Sequence, residues 1–105
     1  MLERSVGRWR GQATNPALGG VVELSIKPGR TCEVRIGRSK RLRARGFPRA
    51  GGGAVTVQLW AGSRDNLSIR LSPGIRGILR SELVGQVQGV PIREHLRLIK
   101  ISSSP

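Results

Sequence analysis

The run Lys40-Arg41-Leu42-Arg43-Ala44-Arg45 sets cationic side chains at alternate positions, with Leu42 and Ala44 between them. On a β-strand, residues i, i+2 and i+4 share a face, so Arg41, Arg43 and Arg45 are expected to form a guanidinium row at steps of roughly 6.5–7 Å. That step is close to the separation of successive phosphates along an extended nucleic-acid strand. Arg35, Arg38, Lys40 and Arg49 crowd the same hairpin, with Glu33 as the sole acid nearby. The chemistry expected of such a patch is phosphate binding with release of counterions, selective for charge rather than for base sequence. Trp60, on the polar side of a later strand, offers either a ring on which a base can stack or a cap for one end of the fold.

Catalytic chemistry is poorly supplied. General acid–base, nucleophilic and metal-assisted reactions each need a convergent set of groups. The acids are Glu3, Glu23, Glu33, Asp65, Glu82 and Glu94, and among 19 lysines and arginines each reads as an ion-pair partner. Cys32, the single cysteine, falls on the apolar side of its strand and reads as a small buried hydrophobe; alone it makes neither an internal disulfide nor a zinc site. His95, beside Glu94 and among apolar neighbours, reads as a structural histidine. There is no Gly-x-x-x-x-Gly-Lys loop, and Gly51-Gly52-Gly53 lacks the following helix that would cradle a phosphate. The expectation is a non-enzymatic protein without cofactor or metal.

A formal net charge of +13 on 105 residues points the same way as the arginine run. Coding bias in a GC-rich genome also enriches arginine and glycine, but self-repulsion of this size in a small domain destabilises it unless an anionic partner offsets the charge. The length suits one domain, which buries about 65% of the surface its unfolded chain exposes. No stretch approaches the ~20 apolar residues of a membrane span, and Glu3 with an early strand argues against a cleaved leader, so a soluble cytoplasmic protein is expected.

Period-two alternation dominates, and no window carries a helical stripe. A first strand is expected over Val6–Thr14, then turn chemistry from Asn15-Pro16 to Gly19-Gly20. Val22, Leu24 and Ile26 alternate with Glu23, Ser25 and Lys27, and Pro28-Gly29 turns into Cys32, Val34 and Ile36. After the arginine strand, Arg49 to Gly53 reads as a flexible glycine loop. Strands follow at Val55–Trp60, Leu67–Ser72, Ile78–Val84 and Ile92–Ile101. The last breaks phase between Leu96-Leu98 and Ile99-Ile101, which predicts either a bulge or burial on both faces. About eight short antiparallel strands in up-and-down order predict an all-β barrel over 1–101, with a β-sandwich as the alternative and residues 102–105 as a disordered tail.

The opening Gly7-Arg8-Trp9-Arg10-Gly11 is similar to the Gly-x-Trp first strand of the calycin group, the lipocalins and avidins. With the closing stretch Gly85-Gln86-Val87-Gln88-Gly89-Val90-Pro91-Ile92, the chain resembles the small lipocalin-like meanders of bacteria. The resemblance implies that Trp9 packs at the closed end of a barrel, beneath a basic residue of the last strand, with Arg93 or Arg97 in that place, and that a small apolar ligand occupies the interior. Lipocalins are longer, avidin-type pockets have several tryptophans, and neither is usually this basic. Two functions are therefore expected in competition. One is a polyanion binder, for RNA foremost or other nucleic acid, using the Arg35–Arg49 hairpin with base contacts from Trp60 or Trp9. The other is a lipocalin-like carrier of an apolar molecule, or a scaffold. An acidic membrane or an acidic protein would engage the same patch.

Overall fold

Valine, leucine and isoleucine at alternate positions, punctuated by glycine and proline, fold as β-strands throughout. The computed structural model describes residues 6–28, 31–37, 40–44, 49–51, 54–73 and 78–104. Among them run β1 (Gly7–Gln12), β2 (Val21–Lys27), β3 (Thr31–Ile36), β4 (Lys40–Ala44), β5 (Arg49–Gly51), β6 (Ala54–Gly62), β7 (Asp65–Pro73), β8 (Ile78–Val87) and β9 (Val90–Ser102). Apart from β4 and β5, which both pair with β6, each strand pairs antiparallel with its neighbour in sequence, and β1 also pairs with β9. The result is a closed up-and-down barrel of eight strands, not a sandwich. Closure leaves no long unpaired edge.

β5 is the departure from the expected glycine loop. Arg49, Ala50 and Gly51 pair with Thr56, Val55 and Ala54, on the same edge of β6 that Arg43 and Ala44 of β4 occupy opposite Trp60 and Leu59. From Ala44 to Arg49 the chain advances five positions while β6 advances three, from Leu59 to Thr56. β4 and β5 are thus one interrupted strand with two extra residues. Backbone pairing does not need side chains, which is why a glycine-rich stretch can pair without an alternating pattern.

All eight strands send side chains inward, and these form one connected cluster. Leu18, Val22, Leu24, Ile26, Val34, Leu42, Ile69, Leu71, Leu83 and Leu98 have no accessible surface at all, so no water-sized space touches them. Arginines outside and leucines inside invert the polarity of barrels that span lipid. Among the described residues no helix is long and apolar enough to cross a membrane.

One end of the barrel is plugged by the β1–β2 connection. Asn15 caps a single 3-10 turn, Pro16–Leu18, accepting from the Ala17 amide at 3.0 Å, and Leu18 drops into the core. The inward-facing Glu94 fastens this loop. Its carboxylate accepts from the Thr14 hydroxyl at 2.8 Å, the Asn15 amide at 3.2 Å and the Thr14 amide. Glu94 therefore serves backbone and hydroxyl donors rather than an arginine.

The Gly-x-Trp motif works at the other end. Trp9 is buried, and the cation over its ring is Lys100, 5.7 Å from the centroid, not Arg93 or Arg97, whose side chains are exposed on the outer face. A Cβ on Gly7 would collide with the Ser102 carbonyl oxygen and stand 2.9 Å from Lys100 Cε, and Gly7 has φ +142°. Glycine two residues before the tryptophan thus clears the path of the lysine stem.

A bulge lies here. Arg8 pairs with Ser102 and Trp9 with Lys100, leaving Ile101 as the extra residue of β9. The last strand is not buried on both faces, since Ile99 and Ile101 are exposed. Ser102 is still paired, so the strand runs one residue into the expected tail, and the Ser104 amide donates to Ser102 Oγ at 3.1 Å.

Candidate nucleic-acid interface

The strand registers assemble two ladders across the outer face. One runs Arg10–Glu23–Arg35–Arg41 from β1 to β4; the other runs Arg8–Ser25–Glu33–Arg43 and continues to Trp60 on β6. The cationic array is therefore two-dimensional and lies mainly across the strands, where the sequence suggested a single row along one strand. Arg35, Arg41 and Arg43 belong to it as expected. Arg8 and Arg10, outside the expected hairpin, join it because β1 lies beside β2. Arg38 and Arg45 fall outside the described residues. Lys40 and Arg49 are placed only by their backbone, Lys40 opening β4 and Arg49 opening β5.

Two carboxylates organise the array, so Glu33 is not the sole acid. Glu23, on the outer face yet nearly buried, sits beneath Arg10 and Arg35 at 3.3 Å and Arg8 at 3.8 Å. Glu33 lies 3.7 Å from both Arg41 and Arg43. Among the described residues five guanidiniums thus share two carboxylates, leaving a net +3 before Lys27 is counted. A carboxylate beneath several guanidiniums restrains their spread without cancelling their charge. Arg43 keeps 78% of its side chain exposed, so the array faces solvent. Between these side chains lies a trough of about 370 Å³, lined by Arg8, Glu23, Ser25, Lys27, Glu33, Arg35, Arg41 and Arg43.

The two tryptophans part company. Trp60 is 47% exposed and stands across from Arg43. Trp9, buried beneath Lys100, is no platform for a base. The signal for Arg8 and Arg10 was present in the sequence, as their alternation about Trp9 puts both on the outer face, and the meander order then sets Arg10 in line with Glu23 and Arg8 in line with Ser25.

Other groups of chemical interest serve structure or lie apart. Cys32 is buried in the core, and burial pushes its thiol up to about 11. His95 is exposed on the outer face, with Nε2 3.3 Å from Glu82 Oε2. Arg97 lines a separate outer hollow with Arg10, His95, Ile99 and Ile101. Among the described residues no three His, Cys, Asp or Glu side chains converge.

The chain matches no family model, no curated protein and no solved structure. Fold and face together define a class: a small closed antiparallel barrel of eight strands, consistent with a calycin-like fold, carrying a basic outer face across β1 to β4.

Proposed function

We propose that this chain is a non-enzymatic binding module for a polyanion, RNA foremost or other nucleic acid, which it holds against the outer face of β1 to β4. The observation that carries the reading is the ratio of five guanidiniums to two carboxylates on four adjacent strands. Phosphates complete the neutralisation that Glu23 and Glu33 begin, and the counterions they displace supply the driving force. Binding of this kind needs no cofactor and fits a cytoplasmic protein.

A lipocalin-like relationship draws support from the Trp9–Lys100 pair, as a statement about scaffold. A carrier function draws less, because the innermost leucines, isoleucines and valines adjoin no water-sized space.

The test is titration of a fluorescent oligonucleotide at rising salt. The expected slope of log affinity against log salt is about −0.7 per phosphate neutralised on a single strand, or roughly −2 for three. The Arg41→Ala/Arg43→Ala variant should weaken binding and flatten that slope. No binding at low salt, or binding indifferent to salt, sinks the reading. Capture by acidic vesicles with no oligonucleotide binding would move the partner to a membrane surface.

A further inference from the structure

The geometry points to a single-stranded segment as the ligand, laid across the strands from β1 to β4 with one base stacked on Trp60. This inference rests on the polyanion reading and names the form of nucleic acid that it concerns.

Three observations carry it. The first is direction. Both ladders run perpendicular to the strands, with cations on β1 (Arg8, Arg10), β3 (Arg35) and β4 (Arg41, Arg43). Strands lie about 4.8 Å apart, so β1 to β4 spans roughly 14 Å, near two phosphate steps of an extended chain. An anionic backbone following the first ladder meets guanidiniums at Arg10, Arg35 and Arg41, and one following the second meets them at its two ends, Arg8 and Arg43.

The second is curvature. The chain measures 32 × 26 × 24 Å along its principal axes, and the face is the convex outside of a closed barrel. A duplex is stiff over a length many times this and touches such a surface along a line. A single strand, bending at every nucleotide, can follow the surface across four strands.

The third is the residue at the end of the path. The ladder through Arg8, Ser25, Glu33 and Arg43 continues one strand further to Trp60, a residue 47% exposed. An indole one strand beyond the last phosphate-binding arginine is where the base of the next nucleotide falls, and base stacking on an aromatic ring tolerates any sequence. Duplex bases, stacked on one another, do not offer that face.

The experiment compares four probes on the intact chain: oligouridylate, the same strand annealed to oligoadenylate, an abasic oligonucleotide and inorganic polyphosphate. Trp9 is buried, so quenching of tryptophan emission on binding reports Trp60. Oligouridylate is expected to quench emission and to bind roughly tenfold or more tightly than the duplex. Abasic strand and polyphosphate should bind without quenching. Trp60→Leu, checked for folding by its urea transition, should lose roughly tenfold in affinity for oligouridylate and nothing for polyphosphate. Equal or tighter duplex binding, or oligouridylate affinity unchanged in Trp60→Leu, overturns the inference and leaves the polyanion reading standing. Failure of all four probes to bind overturns both.

Discussion

Lys100 carries its ammonium 5.7 Å from the centre of the Trp9 ring, directly across the β1–β9 pairing. The ring is buried, so the attraction between cation and ring is only partly screened by water. Lys100→Met keeps the stem and removes the charge, and is expected to lower the unfolding free energy by about 1 kcal/mol in urea titrations. Lys100→Arg should retain most of the stability. Equal stability of Lys100→Met and the parent chain would mean that the stem alone seals this end.

Gly85 and Gly62 offer a matched pair. Gly85 has φ +154°, and a Cβ there would run into the Asn66 carbonyl oxygen and lie 2.9 Å from Leu67 Cα; a Cβ at Gly62 meets nothing. Gly85→Ala should destabilise by about 2 kcal/mol or more, since strained backbone and overpacking act together. Gly62→Ala should stay within about 0.5 kcal/mol of the parent. Similar urea midpoints for the two variants would refute the steric account.

Glu94 holds the loop that plugs the barrel. Glu94→Ala strands three donors, and the expected loss is about 2–4 kcal/mol. Limited proteolysis should then cut first within residues 13–20, before the rest of the chain is attacked. Glu94→Gln keeps an acceptor oxygen and should lose less. First cleavage elsewhere in Glu94→Ala would separate this carboxylate from the closure of the loop.

Cys32 makes stability fall with alkali. Its thiol titrates near 9.0 when exposed and is pushed up to about 11 by burial. Between those values the unfolded chain releases a proton that the folded one retains, so the folded state loses stability as pH rises through this window and keeps it below pH 9. The upper bound is about 3 kcal/mol. Cys32→Ala should lack this component when urea midpoints of the two chains are compared from pH 9 to 11, and native chain should resist thiol reagents at pH 8. Parallel pH profiles would remove the assignment.

Glu23 sets stability against binding. Glu23→Gln removes the carboxylate that three guanidiniums share, and the half-exposed arginines then repel one another at a cost of about 1 kcal/mol. The same change adds one unit of positive charge to the face, so oligonucleotide affinity at low salt should rise roughly threefold. A variant both less stable and weaker in binding would recast Glu23 as a positioning group whose geometry outweighs its charge.

The strand order and the inward alternation of Val22–Ile26, Cys32–Ile36 and Leu67–Leu71 were legible because period two is a local property. The face was legible only in part. Arg41 and Arg43 stand out by their spacing, but the place of Glu23 between Arg10 and Arg35 depends on the registers of two hairpins, which turn geometry sets. Lys100 was hidden for another reason. It shares the inward parity of Leu96 and Leu98, while exposed Ile99 and Ile101 imitate a change of phase and draw attention from it to Arg93 and Arg97. β5 left no alternating pattern to read.

The offset between β4 and β5 has a consequence for how such a chain can change. Both pieces are anchored to β6, and the ring counts them as one stave, although their registers on β6 differ by two positions. A change in chain length between Ala44 and Arg49 leaves the number of staves, and the packing within, as they are. Length can therefore vary between those two pieces while the vessel keeps its shape.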